Sequence, residues 1–148
     1  MDRHHEHERG SVMVMALGVL AVLAVLAMVV VAVVVSEKKT ALFDYSGSRS
    51  FYSADAATEA GANWILQQSA PPPVVDANSN VFVAAGYTAL SNDHSYKYDV
   101  QFIRKRPRPG WSIEYKDFEY AVSATGASAQ GSQSAIQLGA TRLYREGY

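Results

Sequence analysis

Apolar residues are concentrated at one end of this chain. The run "VMVMALGVLAVLAVLAMVVVAVVV", Val12 to Val35, carries no charge. As an α-helix it spans roughly 36 Å at about 1.5 Å per residue, enough to cross a hydrocarbon core about 30 Å thick. The apolar region of a secretory signal is shorter, about 7–15 residues, so the length predicts a membrane helix. The next segment, Glu37 to Gln68, contains no proline, and "ADAATEAGANWILQQ" is rich in helix formers. Ala41, Tyr45, Tyr52, Ala56, Ala60 and Leu66 fall near one helical face, with Phe43, Ala54 and Ile65 nearly opposite. A helix apolar on two faces is expected to be gripped from two sides. No breaker separates the two segments, so one helix is expected from about Val12 to Gln68, roughly 85 Å long if straight.

"SAPPPVVDANSN", Ser69 to Asn80, stops that helix: three consecutive prolines cannot continue it. "VFVAAGYTAL" is read as a short strand. From Tyr96 the period changes to two, with Tyr96, Tyr98, Val100 and Phe102 on one face and Lys97, Asp99 and Gln101 on the other. "RKRPRPG" is read as a loop. Alternation resumes with Trp111, Ile113 and Tyr115, then Phe118, Tyr120 and Val122, and the change of phase between the two sets suggests a bulge or kink. "GASAQGSQ" is a second turn, and Ile136, Leu138 and Ala140 lie in phase on a last strand. Short connections imply an antiparallel meander. The expected fold class is α+β: a long N-terminal helix, membrane-spanning in its first half, packed on a small antiparallel sheet. A sheet region of this size is marginal alone, and the second half of the helix can complete its core.

Composition adds limits. The 148 residues leave room for one soluble domain beside the apolar run, and the formal net charge of −1 implies no bulk polyelectrolyte partner. With no cysteine, disulfides and thiolate metal sites are excluded. Arg3 and Arg9 on one side of the apolar run face Lys38 and Lys39 on the other, so the positive-inside balance is nearly even. The larger part beyond the run is expected to be exported, with the N-terminus inside.

Several stretches together carry a resemblance. "RGSVMVMALGVLAVLAVL" resembles the leader junction of type IV pilins: a short charged leader ending in glycine, then an unbroken apolar helix. "SEKKTALFDYSGSRSFYSADAATEAG" is similar to the following segment of the PilX-like minor pilins, and "FEYAVSATGASAQGSQSAIQLGATRLY" to their closing hairpin, in which a strand ends in Thr-Gly. The resemblance implies cleavage by a prepilin peptidase between Gly10 and Ser11, then extraction from the inner membrane into a pilus outside the cell. The parts would be a leader (1–10), a transmembrane half-helix (11–36), a soluble half-helix (37–69) and a sheet head (70–148). Gly18, Ala21, Ala24, Ala27 and Ala32 are the candidates for close helix packing. The implied partners are other major and minor pilins, the peptidase, the inner-membrane assembly machinery and, before extraction, membrane lipid. Most pilins carry glutamate at the fifth mature position, where its carboxylate pairs with a neighbour's N-terminal amine; here that position is Met15. A chain unable to offer that pairing to a subunit above it suits a tip or priming complex better than a shaft. An uncleaved single-pass membrane protein with an exported ligand- or partner-binding domain is the alternative.

Candidate chemistry is sparse. His4, His5 and His7, interleaved with Glu6 and Glu8, could bind a metal but read better as a polar leader lacking a folded frame. Arg104, Lys105, Arg106 and Arg108 near Trp111 form a basic loop that could meet nucleic acid or another anionic surface, against the plainer reading of a solvated hairpin. Tyr96, Tyr98, Tyr115 and Tyr120 are read as sheet core or cross-strand pairs. Asp76, Asn78 and Asn80 lack the glycine and terminal glutamate of a calcium loop and read as a turn. His94 stands alone. No nucleophile–base pair or phosphate loop is found, so neither catalysis nor a cofactor or metal is expected.

Overall fold

A computed structural model describes residues 4–71 and 76–145, with side chains from residue 11 onward. The chain divides into two compact units, Met1–Leu42 and Phe43–Tyr148. The elements are one helix, α1 (His4–Gln67), and five strands: β1 (Asn80–Val83), β2 (Thr88–Ser91), β3 (His94–Pro107), β4 (Tyr115–Ser128) and β5 (Gln133–Arg145). The α+β class is as expected, with α1 ending one residue before the sequence-based boundary. The leader residues 1–3 and the segment Pro72–Val75 lie outside the described residues.

In the first unit, the described part of α1 is exposed at every position from Ser11 to Leu42. This helix is long and apolar enough to cross a membrane.

The second unit is built on a β3–β4–β5 meander, antiparallel throughout, with β1 and β2 both paired along the other edge of β3. β4 and β5 pair without interruption from Tyr115↔Arg145 to Ala127↔Gln133. Four of the sequence expectations need correction here. "VFVAAGYTAL" makes two short strands. "RKRPRPG" is largely strand, because Arg104 faces Glu119 and Arg106 faces Asp117 across the β3–β4 pair, so opposite charges extend the ladder. Trp111 and Ile113 belong to the connecting loop, and the register irregularity falls on β3 between Phe102 and Arg104. Finally, Thr125-Gly126 does not end β4, which continues through Ser128 to a tight turn where Gly131 adopts φ 86°.

The core lies between the sheet and the Phe43–Gln67 part of α1. Val100, Phe102, Phe118, Tyr120, Val122 and Tyr144 from the sheet enclose Ile65 from the helix. Trp64 continues an aromatic row through Phe82, at 5.3 Å between ring centres, to Tyr98, at 5.0 Å from Phe82. Full burial of such side chains is worth about 1.5–3 kcal/mol each.

The helix meets the sheet on one side only. Its buried stripe is Ser46, Ser50, Ser53, Ala54, Ala57, Thr58, Gly61 and Ile65, a helical repeat of small residues. The expected two-sided grip is therefore corrected: Phe43, Tyr45, Tyr52 and Leu66 are exposed, and of the residues named for those faces only Ala54 and Ile65 are fully buried. Small side chains let the helix backbone approach closely. A Cβ at Gly126 of β4 would collide with the Ser50 carbonyl and the Ala54 amide, and one at Gly61 would collide with Val122. The hydroxyls buried by this approach find partners. Ser46 Oγ lies 2.7 Å from Ser128 Oγ and donates to Ser132 Oγ at 2.7 Å, while Ser50 Oγ lies 2.7 Å from Ser134 Oγ. Ser53 and Thr58 donate to the Arg49 and Ala54 carbonyls, each at 2.9 Å.

Candidate functional site: the apolar helix and the basic hairpin

In the first unit, Gly18, Ala21, Ala24, Ala27 and Ala32 are exposed along α1. At about 100° per residue, Gly18, Ala21 and Ala32 share an arc of about 60°, while Ala24 and Ala27 lie about 120° and 180° from Gly18 in the same rotational sense. Close approaches are therefore offered over about half of the helix circumference rather than along one narrow seam. Met15 is exposed in the same run. Ser11 is described, but the surroundings of Gly10 and the side chains of the His4–Glu8 tract lie outside what is described.

In the second unit, the basic residues follow from the β3–β4 pairing. Arg104 Nε donates to Glu119 Oε2 at 2.6 Å, and Arg106 Nη2 donates to the other oxygen of the same carboxylate. Arg108 Nη1 lies 3.5 Å from Asp117 Oδ1, and Lys105 stands opposite Phe118. Arg145 Nε donates to Glu114 at 2.9 Å. The arginines that looked like a free cationic loop are thus engaged by carboxylates invisible to a reading of residues 104–108 alone. The missed signal was the cross-strand register.

Beyond these strands, the connection forms two hydrogen-bonded turns. Trp111 N donates to the Arg108 carbonyl at 3.2 Å and Tyr115 N to the Ser112 carbonyl at 2.9 Å. Gly110 takes φ 78° between them. The Arg108 guanidinium lies over the Trp111 ring, 5.1 Å from its centre, and Tyr115 meets that ring edge-on at 5.3 Å.

The remaining candidates have structural places. Tyr120 is buried, and burial first, then neighbouring Tyr144, raises its phenol pKa well above the usual value. Burial followed by Tyr96 also raises Tyr98. Tyr96 and Tyr115 are half-buried on their strands. Asp76 and Asn78 belong to a turn in which Ser79 donates to the Asp76 carbonyl and Asn78 adopts φ 65°; Asn80 begins β1. His94 Nδ1 lies 2.7 Å from Ser91 Oγ, within the β2–β3 connection. Among the described residues no cluster of three or more metal-ligating side chains forms. A cavity of about 120 Å³ opens among Tyr45, Arg49, Asp93 and Gln130, where Arg49 is paired with Asp93 at 3.5 Å.

Compared with known proteins, the chain finds no match among family models, curated proteins or solved structures.

Proposed function

We propose that this chain is a minor pilin of the PilX-like class, a structural subunit of the tip or priming complex of a type IV pilus that supports assembly and, through it, adhesion, motility or DNA uptake. The observation that carries the reading is α1 itself. One helix contains both an exposed run able to cross a membrane and a stretch held on an antiparallel sheet by small residues. The run serves first as a membrane anchor and then as packing surface for other pilin helices. Its small residues, spread over about half of the helix circumference, suit a segment packed against more than one neighbouring helix.

Processing between Gly10 and Ser11 by a prepilin peptidase, with the N-terminus on the cytoplasmic side, completes the reading. Its chemistry is assembly rather than catalysis. Met15 favours a position with no subunit above it, because a charge in an apolar bundle is stabilising only when partnered. The same residue favours the second reading, an uncleaved single-pass protein whose exported domain binds a partner. Shearing of surface filaments separates the two: a pilus subunit is recovered with the sheared filaments, and its deletion lowers their number. Retention of all the protein in the membrane fraction, with filament number unchanged, refutes the pilus assignment.

A further inference from the structure

The loop joining β3 to β4 displays large apolar side chains outside the core. Ile113 is 84% exposed, more than any other large apolar residue described, and Trp111 beside it is 53% exposed. The loop sits at the end of the sheet where the helix terminates, since Arg142, opposite Phe118 near that end, reaches the Ile65 carbonyl. Two turns and Gly110 fix its backbone, with Pro107 and Pro109 stiffening the approach. The tip is therefore preorganised, and little conformational freedom remains to be lost on binding.

Its surroundings are cationic. Residues 104–119 hold five Lys and Arg side chains against three carboxylates. Arg104 and Arg106 share the single carboxylate of Glu119.

We propose that this tip docks on an anionic lipid surface, with Trp111 and Ile113 entering the interface and the surrounding arginines meeting lipid phosphates. Indole rings favour the headgroup level of a membrane, and juxtaposed cations favour anionic lipid. Nucleic acid fits less well. Arg108 already lies over the Trp111 ring, and Ile113, the most exposed group, has neither charge for phosphate nor a ring for base stacking. The inference is independent of the pilus reading, since it uses only the Phe43–Tyr148 unit.

The test uses the full chain in phosphatidylcholine nanodiscs, which accommodate the apolar run. Trp64→Phe leaves Trp111 as the single tryptophan. Vesicles of phosphatidylcholine, alone or mixed with phosphatidylglycerol, are then added, with brominated acyl chains as quencher. With the anionic mixture, Trp111 emission shifts to the blue and is quenched, and the association weakens with salt. Ile113→Ser, at a position that contributes nothing to the core, lowers the affinity about tenfold or more. Arg108→Gln lowers it about fivefold. Equal response to neutral and anionic vesicles, no response to either, or indifference to Ile113→Ser overturns the proposal. So does salt-dependent binding of duplex DNA without vesicle association, which would assign the surface to nucleic acid.

Discussion

Gly126 of β4 lies directly beneath the Ser50 carbonyl of α1, leaving no space for a Cβ between strand and helix. This approach sets the spacing of the helix–sheet layer and brings the seam serines within hydrogen-bonding reach. Gly126→Ala must displace backbone rather than a flexible side chain. It is expected to cost about 3 kcal/mol, the upper end of overpacking penalties. Gly139→Ala, where nothing lies near the added methyl, is the control and leaves stability unchanged or slightly raised. Chemical denaturation followed by circular dichroism distinguishes them.

Gly61 and Val122 form a second contact of the same kind. Gly61→Ala alone is expected to cost about 1–2 kcal/mol through overpacking. In the Val122→Ala background the penalty shrinks, because the clashing methyl is gone. A double-mutant cycle measures the coupling, and strict additivity would contradict the packing account.

Arg142 donates to the carbonyl of Ile65, near the end of α1, and lies over the Tyr144 ring. Terminal carbonyls of a helix lack intrahelical partners. Arg142→Met is expected to cost about 1–2 kcal/mol and to increase amide exchange in the last turn of α1. Unchanged exchange there would argue against the cap.

Tyr120 links stability to alkaline pH. Its folded pKa lies above the ordinary 10.0, with burial as the main cause. The stabilising contribution of the neutral phenol is present below the unfolded value and is lost as pH rises from there through the folded one. Tyr120→Phe should therefore flatten the fall in stability above pH 10.0. At neutral pH it should be nearly neutral or stabilising, since among the described residues the buried Tyr120 hydroxyl has only the neighbouring Tyr144 phenol beside it and no well-formed hydrogen bond. Denaturation midpoints across pH read both effects.

How legible the fold was depended on which property carried each element. The run to Val35 and the alternation from Tyr96 to Phe102 are patterns of polarity, and the structure has there a helix able to cross a membrane and a strand. The buried helical stripe from Ser46 to Gly61 is instead a pattern of size. A search for large apolar residues selects Tyr45, Tyr52 and Leu66, which are exposed, and passes over Ser50 and Ser53, which are buried. The arginines were misread for a related reason. Pro107, Pro109 and four nearby cations suggest a loop, but Asp117 and Glu119, ten or so residues away in sequence, face them across the ladder. Sequence separation hid the charge partners that make residues 104–107 a strand. At the candidate site, the hairpin could be located from sequence, but its exposed Trp111 and Ile113 tip emerged only once both residues were found outside the strands.

N-terminal sequencing of the protein extracted from membranes of cells with an active prepilin peptidase tests the central claim most directly. Processing predicts a mature chain beginning at Ser11, with uncut protein accumulating when the peptidase is absent. A chain beginning at Met1 in the presence of active peptidase would contradict the pilin account.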